Sequence, residues 1–256
     1  MIPATIISPR QLGPVDDQAD IGSYSRHFLA AGDSWFSSGG VFGYGLLHHL
    51  EFPERTLITS LAVPGNTLRR ISEWRTREFG RLLDQWHFDG VLLSAGGNDL
   101  IAAAPRIVNP WSPGNIKKDA LRQFEDYLRV NLTELVVTVH QSRENADTPV
   151  YAHVYDYATP RPAPALDVLG LKVGPWLYPA LANVPLDQWI STTDALFDSM
   201  AAVIRSVPGL TVVETAGACE RAPLGATGES MDWLNEIHPN RSGYRKIAER
   251  WQKTLG

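Results

Sequence analysis

At 256 residues, with 44% hydrophobic and 20% charged residues, the chain has the composition of a soluble globular protein and is long enough to bury a core without crosslinks. A formal net charge of -5 and the lack of any Lys/Arg cluster argue against nucleic acid as a partner, and no apolar run is long enough to span a membrane. Cys219 is the only cysteine, which excludes an intramolecular disulfide and a cysteine-based zinc site and leaves a small buried residue as its expected role.

A single domain is expected over 1–256. Met1 to Asp20 has no basic start followed by an apolar segment, so the cytoplasm is the expected compartment unless a secretory signal has been removed. Residues 1–25, with Pro3, Pro9 and Pro14, read as an irregular arm over the domain edge. His27 to Ala31 reads as a buried strand running into Gly32-Asp33-Ser34, and the connection Ser37-Ser38-Gly39-Gly40 leads into a helix through Leu46, Leu47 and Leu50. Thr56 to Leu61 is a second strand, ending at Pro64-Gly65-Asn66-Thr67, followed by a helix bearing Leu68, Ile71, Phe79, Leu82 and Leu83. Gly90 to Ser94, a continuous apolar run, is a strand covered on both faces, and it ends at Gly96-Gly97-Asn98-Asp99.

Beyond a loop with Pro105, Pro110, Trp111 and Pro113, the residues Leu121, Phe124, Leu128, Leu132, Leu135 and Val139 recur at helical spacing. Pro149 to Tyr155 is a fourth strand. Residues 156–190, rich in proline and aromatics, read as a long loop or lid. A helix over Ser191–Ser206, a fifth strand over Leu210–Val213 and a last helix bearing Tyr244, Ile247, Trp251 and Leu255 close the chain. Strands alternate with helices throughout, which implies an α/β fold with a largely parallel sheet.

Ligands in such folds gather where the strands end, and that edge holds the polar candidates. Ser34 is a candidate nucleophile there. Acyl transfer by a serine needs a base and donors for the oxyanion. His238, just before the last helix, suits the base, and Gly65 and Asn98 suit the donors.

Gly32-Asp33-Ser34, Gly65 with Thr67, Gly96-Gly97-Asn98-Asp99 and His238-Pro239-Asn240, in this order, resemble the sequence blocks of the SGNH hydrolase superfamily, the GDSL esterases and lipases. The resemblance spans Gly32 to Asn240. It implies a three-layer α/β/α, flavodoxin-like fold with a five-stranded parallel sheet. It also implies hydrolysis of a small-molecule ester or thioester through an acyl-serine, with no cofactor or metal. Ser34 N–H, Gly65 N–H and the Asn98 amide then form the oxyanion hole. An acyltransferase and a catalytically impaired binding protein on the same scaffold are the alternatives, and oligomeric state is not legible. Gly-x-Ser-x-Gly is absent at Ser34, because Phe36 stands where its last glycine would be.

In one respect the pattern departs from the family. The aspartate expected three residues before the histidine is Asn235. An asparagine can orient the imidazole but brings no charge. Asn235 is the preferred partner of His238, with Glu236 or Asp232 as carboxylate surrogates. His48-His49 and His153 with Asp156 do not make a metal set, since adjacent histidines converge poorly and no further ligand cluster exists. Gly39-Gly40 and Gly43-x-Gly45 lack the spacing of a phosphate loop. Trp35, Phe36, Trp111 and Trp176 are candidates for the mouth of the site, each with a role in the core as the alternative.

Overall fold

The computed structural model describes residues 1–12, 20–37, 45–71, 76–168 and 171–256. In chain order the strands are β1 (Ile2–Pro3), β2 (Thr5–Ile7), β3 (Arg26–Gly32), β4 (Glu51–Phe52), β5 (Thr56–Ser60), β6 (Gly90–Ser94), β7 (Val150–His153), β8 (Leu166–Val168), β9 (Leu171–Val173) and β10 (Leu210–Val213). The helices are α1 (Thr76–Gln85), α2 (Gly97–Ile107), α3 (Lys118–Gln141), α4 (Trp189–Ser206) and α5 (Arg241–Leu255).

The central sheet runs β10-β7-β6-β3-β5-β2, and every pairing in it is parallel. β6 is buried along its whole length, as its unbroken apolar run requires, and each such fully buried valine or leucine contributes about 1.5–3 kcal/mol. Gly32 pairs with Ser94, so β3 and β6 end side by side. A Cβ on Gly32 would lie 2.7 Å from the Ser94 carbonyl oxygen, and only glycine fits that approach.

Helices flank the sheet in an α/β/α arrangement. The stripe Phe124, Leu128, Leu132, Leu135 and Val139 of α3 is buried, and α3 packs against α1, α2 and α4. α5 buries Tyr244, Ile247, Trp251 and Leu255 and packs against a 3-10 turn at Leu46–His49.

The five expected strands are present, and a sixth joins them from the supposedly irregular arm. Thr5, Ile6 and Ile7 pair with Leu57, Ile58 and Thr59. The prolines around this β-branched triplet obscure it, yet Pro3 sits on the antiparallel β1–β4 ribbon, an edge where a missing N–H is tolerated. Leu46 and Leu47 lie in the short 3-10 turn rather than in a helix, and Gly39, Gly40 and Gly43 lie outside the described residues. The segment after Asn98 is helical to Ile107, because Pro105 falls in the last turn of α2, where a proline forfeits one hydrogen bond. Residues 156–190 include the β8–β9 hairpin and 3-10 turns at Tyr178–Leu181 and Leu186–Gln188. Among the described residues, no helix is long and apolar enough to cross a membrane.

Candidate active site

Asp33 N–H donates to the Ser94 carbonyl at 3.0 Å, extending the ladder one residue beyond β3. The chain then turns, with Phe36 and Ser37 N–H donating to the Asp33 carbonyl at 3.3 and 3.0 Å. Asp33 Oδ1 accepts from Trp35 N–H at 3.0 Å, which pins the residue after Ser34. The carboxylate is buried and also accepts from Ser94 Oγ at 2.9 Å and from the Tyr155 hydroxyl. Burial pushes its pKa up to about 6, against the pull of the Tyr155, Trp35 and Ser94 donors. Behind Ser94 the chain of donors continues, from Trp251 Nε1–H to His153 Nδ1 at 3.3 Å and from His153 Nε2–H to Ser94 Oγ at 3.1 Å.

His238 reaches this turn from the far end of the sequence. Its carbonyl accepts from Leu234 and Asn235 N–H at 2.9 and 3.4 Å, a tight loop that ends where Asn240 Oδ1 caps α5 through Ser242 and Gly243 N–H at 3.0 and 3.1 Å. The Nε2 atom of His238 lies 2.8 Å from Ser34 Oγ. On the other side of the ring, Nδ1 lies 3.0 Å from Asn235 Oδ1. That oxygen also accepts from Ile237 and His238 N–H at 3.1 and 3.0 Å, so it is the carbonyl end of the amide. Nδ1 therefore carries the proton, and Nε2 is left as an acceptor for the serine hydroxyl. Only 2% of His238 is exposed, and burial pushes its pKa down to about 3. The imidazole is a neutral base.

The loop after β5 docks on the end of β3. Val63 N–H and Asn66 Nδ2 both donate to the Gly32 carbonyl, at 3.0 and 3.3 Å. Gly65, at φ 75°, turns the chain there in the left-handed region that glycine alone enters freely. Asn98 Nδ2 donates to the Asn66 carbonyl at 2.9 Å, which ties the start of α2 to this loop. Ser34 and Asn98 line one cavity. The structure thus gathers Ser34, His238, Asn235 and Asn98 around one point, with Gly65 in the adjoining turn.

The two carboxylate surrogates face elsewhere. Asp232 accepts from Glu220 N–H at 2.6 Å and pairs with Lys246. Glu236 is fully buried and accepts from the consecutive amides of Trp176, Leu177 and Tyr178, with 2.9 Å to Leu177 and 2.6 Å to Tyr178, and from Arg161 N–H at 3.3 Å. Glu236 carries the strap, while Asn235 holds the histidine.

Sequence reasoning gave Arg161 no role, yet it binds the whole loop. Its guanidinium, fully buried, donates to the carbonyls of Asn235 at 2.7 Å, Trp233 at 3.4 Å, Ala226 at 3.2 Å and Gly228. Nothing in the run Thr159-Pro160-Arg161-Pro162 signals this, because the acceptors are backbone atoms far along the chain.

Of the aromatics expected at the mouth, Trp176 alone borders the histidine, its ring edge-on to His238 at 5.6 Å. Trp35 and Phe36 are buried in the core, Trp35 also lining the cavity beside Ser34 and donating to the Ile237 carbonyl at 3.1 Å, and Trp111 is 89% exposed. Asp156 lines the cavity, but its carboxylate accepts from Tyr157, Gly217 and Cys219 N–H and so holds backbone. Cys219 is half-buried rather than a core residue. Among the described residues, no three His, Cys, Asp or Glu side chains cluster as metal ligands.

The GDSL-like lipase/acylhydrolase family model matches residues 29–246. No curated protein matches the chain significantly. Similar solved structures include Axe2, an acetylxylan esterase from Geobacillus stearothermophilus, at 16% identity and TM-score 0.50, covering 91% of this chain and 94% of that one. An extracellular lipase from Streptomyces rimosus is similar at 14% identity and TM-score 0.55, covering 88% of this chain and 99% of that one. At such identities the likeness is one of fold.

Proposed function

Because the chain belongs to the GDSL-like lipase/acylhydrolase family of ester hydrolases, we propose that it cleaves a small-molecule ester through an acyl-enzyme on Ser34. Ser34 Oγ attacks the ester carbonyl carbon while its proton passes to His238 Nε2. The carbonyl oxygen takes up negative charge and is held by Ser34 N–H, Gly65 N–H and the second hydrogen of the Asn98 amide. Collapse of the tetrahedral intermediate breaks the bond to the alcohol oxygen, which leaves with the proton from His238. Water, losing its proton to the same nitrogen, then attacks the acyl-serine and restores Ser34.

The observation that carries this reading is the 2.8 Å contact between Ser34 Oγ and His238 Nε2, made across 204 residues of chain. Nε2 is already the proton acceptor, so no tautomer change precedes attack. Asn235 takes the orienting position. It fixes the ring and its tautomer, but as an amide it adds no charge of its own beside the imidazolium formed during attack.

A fluorophosphonate probe tests the reading. The protein is expected to label on Ser34 and to turn over p-nitrophenyl esters, and Ser34→Ala is expected to do neither. Labelling of Ser34→Ala at the wild-type level would overturn the assignment. The uncharged Asn235 favours one rival, a binding protein that has lost turnover, for which labelled protein would show no ester hydrolysis.

A further inference from the structure

The cavity that opens beside Ser34 and Asn98 is apolar and small. Leu100, Ile101, Leu177 and Phe197 are among its walls. Its volume is about 20 Å³, against the roughly 10–15 Å³ that seats one water molecule. A methyl group fills such a space. His238, which in the proposed reaction protonates the departing alcohol, is not among the lining residues. We therefore assign this cavity to the acyl side of the ester, with the leaving group on the side of His238.

Two of its walls are held in place. Phe197 stands on α4, in the turn before the fully buried Met200, and packs edge-on against Tyr157 at 6.4 Å. Leu177 belongs to the strap whose amides converge on Glu236, its own N–H at 2.9 Å from Oε2. The acceptor is a buried carboxylate, so the backbone of Leu177 does not move aside without breaking two charge-assisted contacts, its own and that of Tyr178. Leu100 and Ala158, which also line it, are buried.

Resting on the acyl-serine reading above, we infer that this enzyme is an acetyl esterase whose acyl pocket excludes butyryl and longer chains, with Phe197 and Leu177 setting the limit. Hydrophobic pockets discriminate by about 10- to 200-fold for a methylene they cannot house, and butyrate adds more than one.

The test compares kcat/KM on p-nitrophenyl acetate, butyrate and octanoate, each corrected for its rate with hydroxide, in the full chain. Acetate is expected to exceed butyrate by about 10-fold or more, and octanoate by more again. Equal or rising kcat/KM with chain length would overturn the inference. In Phe197→Ala and Leu177→Ala the butyrate-to-acetate ratio is expected to rise about tenfold, and Phe197→Leu, which keeps an apolar side chain on α4, is expected to raise it less. Folded variants with an unchanged ratio would overturn the assignment of these walls. Failure of the acyl-serine reading looks different: no ester is turned over and no probe labels Ser34, whereas a labelled enzyme indifferent to chain length sinks the pocket alone.

Discussion

Asn235 Oδ1 receives the Nδ1 proton of His238 at 3.0 Å, while the Nδ2 of the same amide is buried without a hydrogen-bond partner. The position has the geometry of a third catalytic group and none of its charge. Asn235→Asp is expected to raise kcat by about tenfold or more. The ceiling is the roughly ten-thousand-fold that the reverse change costs in a serine protease. A carboxylate at this distance also raises the imidazole pKa from its buried value of about 3, so the acid limb of kcat/KM moves to higher pH in the variant. pH–rate profiles of both proteins check this, and an unmoved limb with unchanged kcat would contradict it.

Acid sensitivity of folding follows from three buried histidines. Burial pushes His27 down to about 4 and His153 and His238 down to about 3. Each binds a proton in the unfolded chain below about pH 6.5 and stays neutral in the fold. Stability is therefore full above that pH and is lost as pH falls toward the folded values. Asp33, raised to about 6, works the other way: the fold takes up its proton between about pH 6 and the unfolded value, offsetting one histidine. Asp99 and Glu236, also raised by burial, add to that offset, and His48 and His49, lowered by burial, add to the histidine side, so the balance lies with the histidines and stability falls with acid between about pH 6 and 4. Urea titrations across that range at fixed ionic strength should show it, and a flat midpoint would refute it.

Asn98 holds its place through the Asn66 carbonyl with one amide hydrogen, and in the proposed reaction it gives the other to the oxyanion. Asn98→Ala is expected to lower kcat by about 10²- to 10³-fold, the usual cost of an oxyanion donor, with KM changed little. Steady-state kinetics on an acetyl ester separate the two. A rise in KM alone would place Asn98 in ground-state binding.

Tyr155→Phe removes a donor from a buried carboxylate. The expected loss of stability is about 1.5–3 kcal/mol. Because Asp33 also holds Trp35 N–H at 3.0 Å, activity should fall with it, and thermal melts beside esterase rates on the same samples report both. An unaltered melting temperature would show that Ser94 and Trp35 suffice to hold the carboxylate.

How much of this was legible in the sequence depends on what kind of atom does the work. Ser34, Asn98 and His238 act through side chains that only a few residue types supply, and they follow strand ends marked by glycine and proline, so residue type and position point to them. β6 and α3 were legible because burial imposes periodicity. β2 was not, since three residues among prolines carry too short a pattern. Arg161 gave no signal, and Glu236 stood out only for a role at His238 that it does not fill, because their partners are backbone amides and carbonyls, which every sequence has. The bonds of Glu236 to Tyr178 and Arg161 cross 58 and 75 residues, and no spacing rule reaches that far.

Through Arg161 and Glu236, the segments around Arg161 and Trp176–Tyr178 are tied to the His238 loop as a single mechanical part. Surface segments of this length are commonly where an enzyme family diversifies, and where engineers splice in foreign sequence to alter preference. Here a graft that brought its own strap without an amide nest for Glu236, or without an arginine to gather the carbonyls of 226–235, would leave a charge stranded inside the protein and the general base adrift. Divergence at this edge must therefore proceed by paired exchange, strap and histidine loop together.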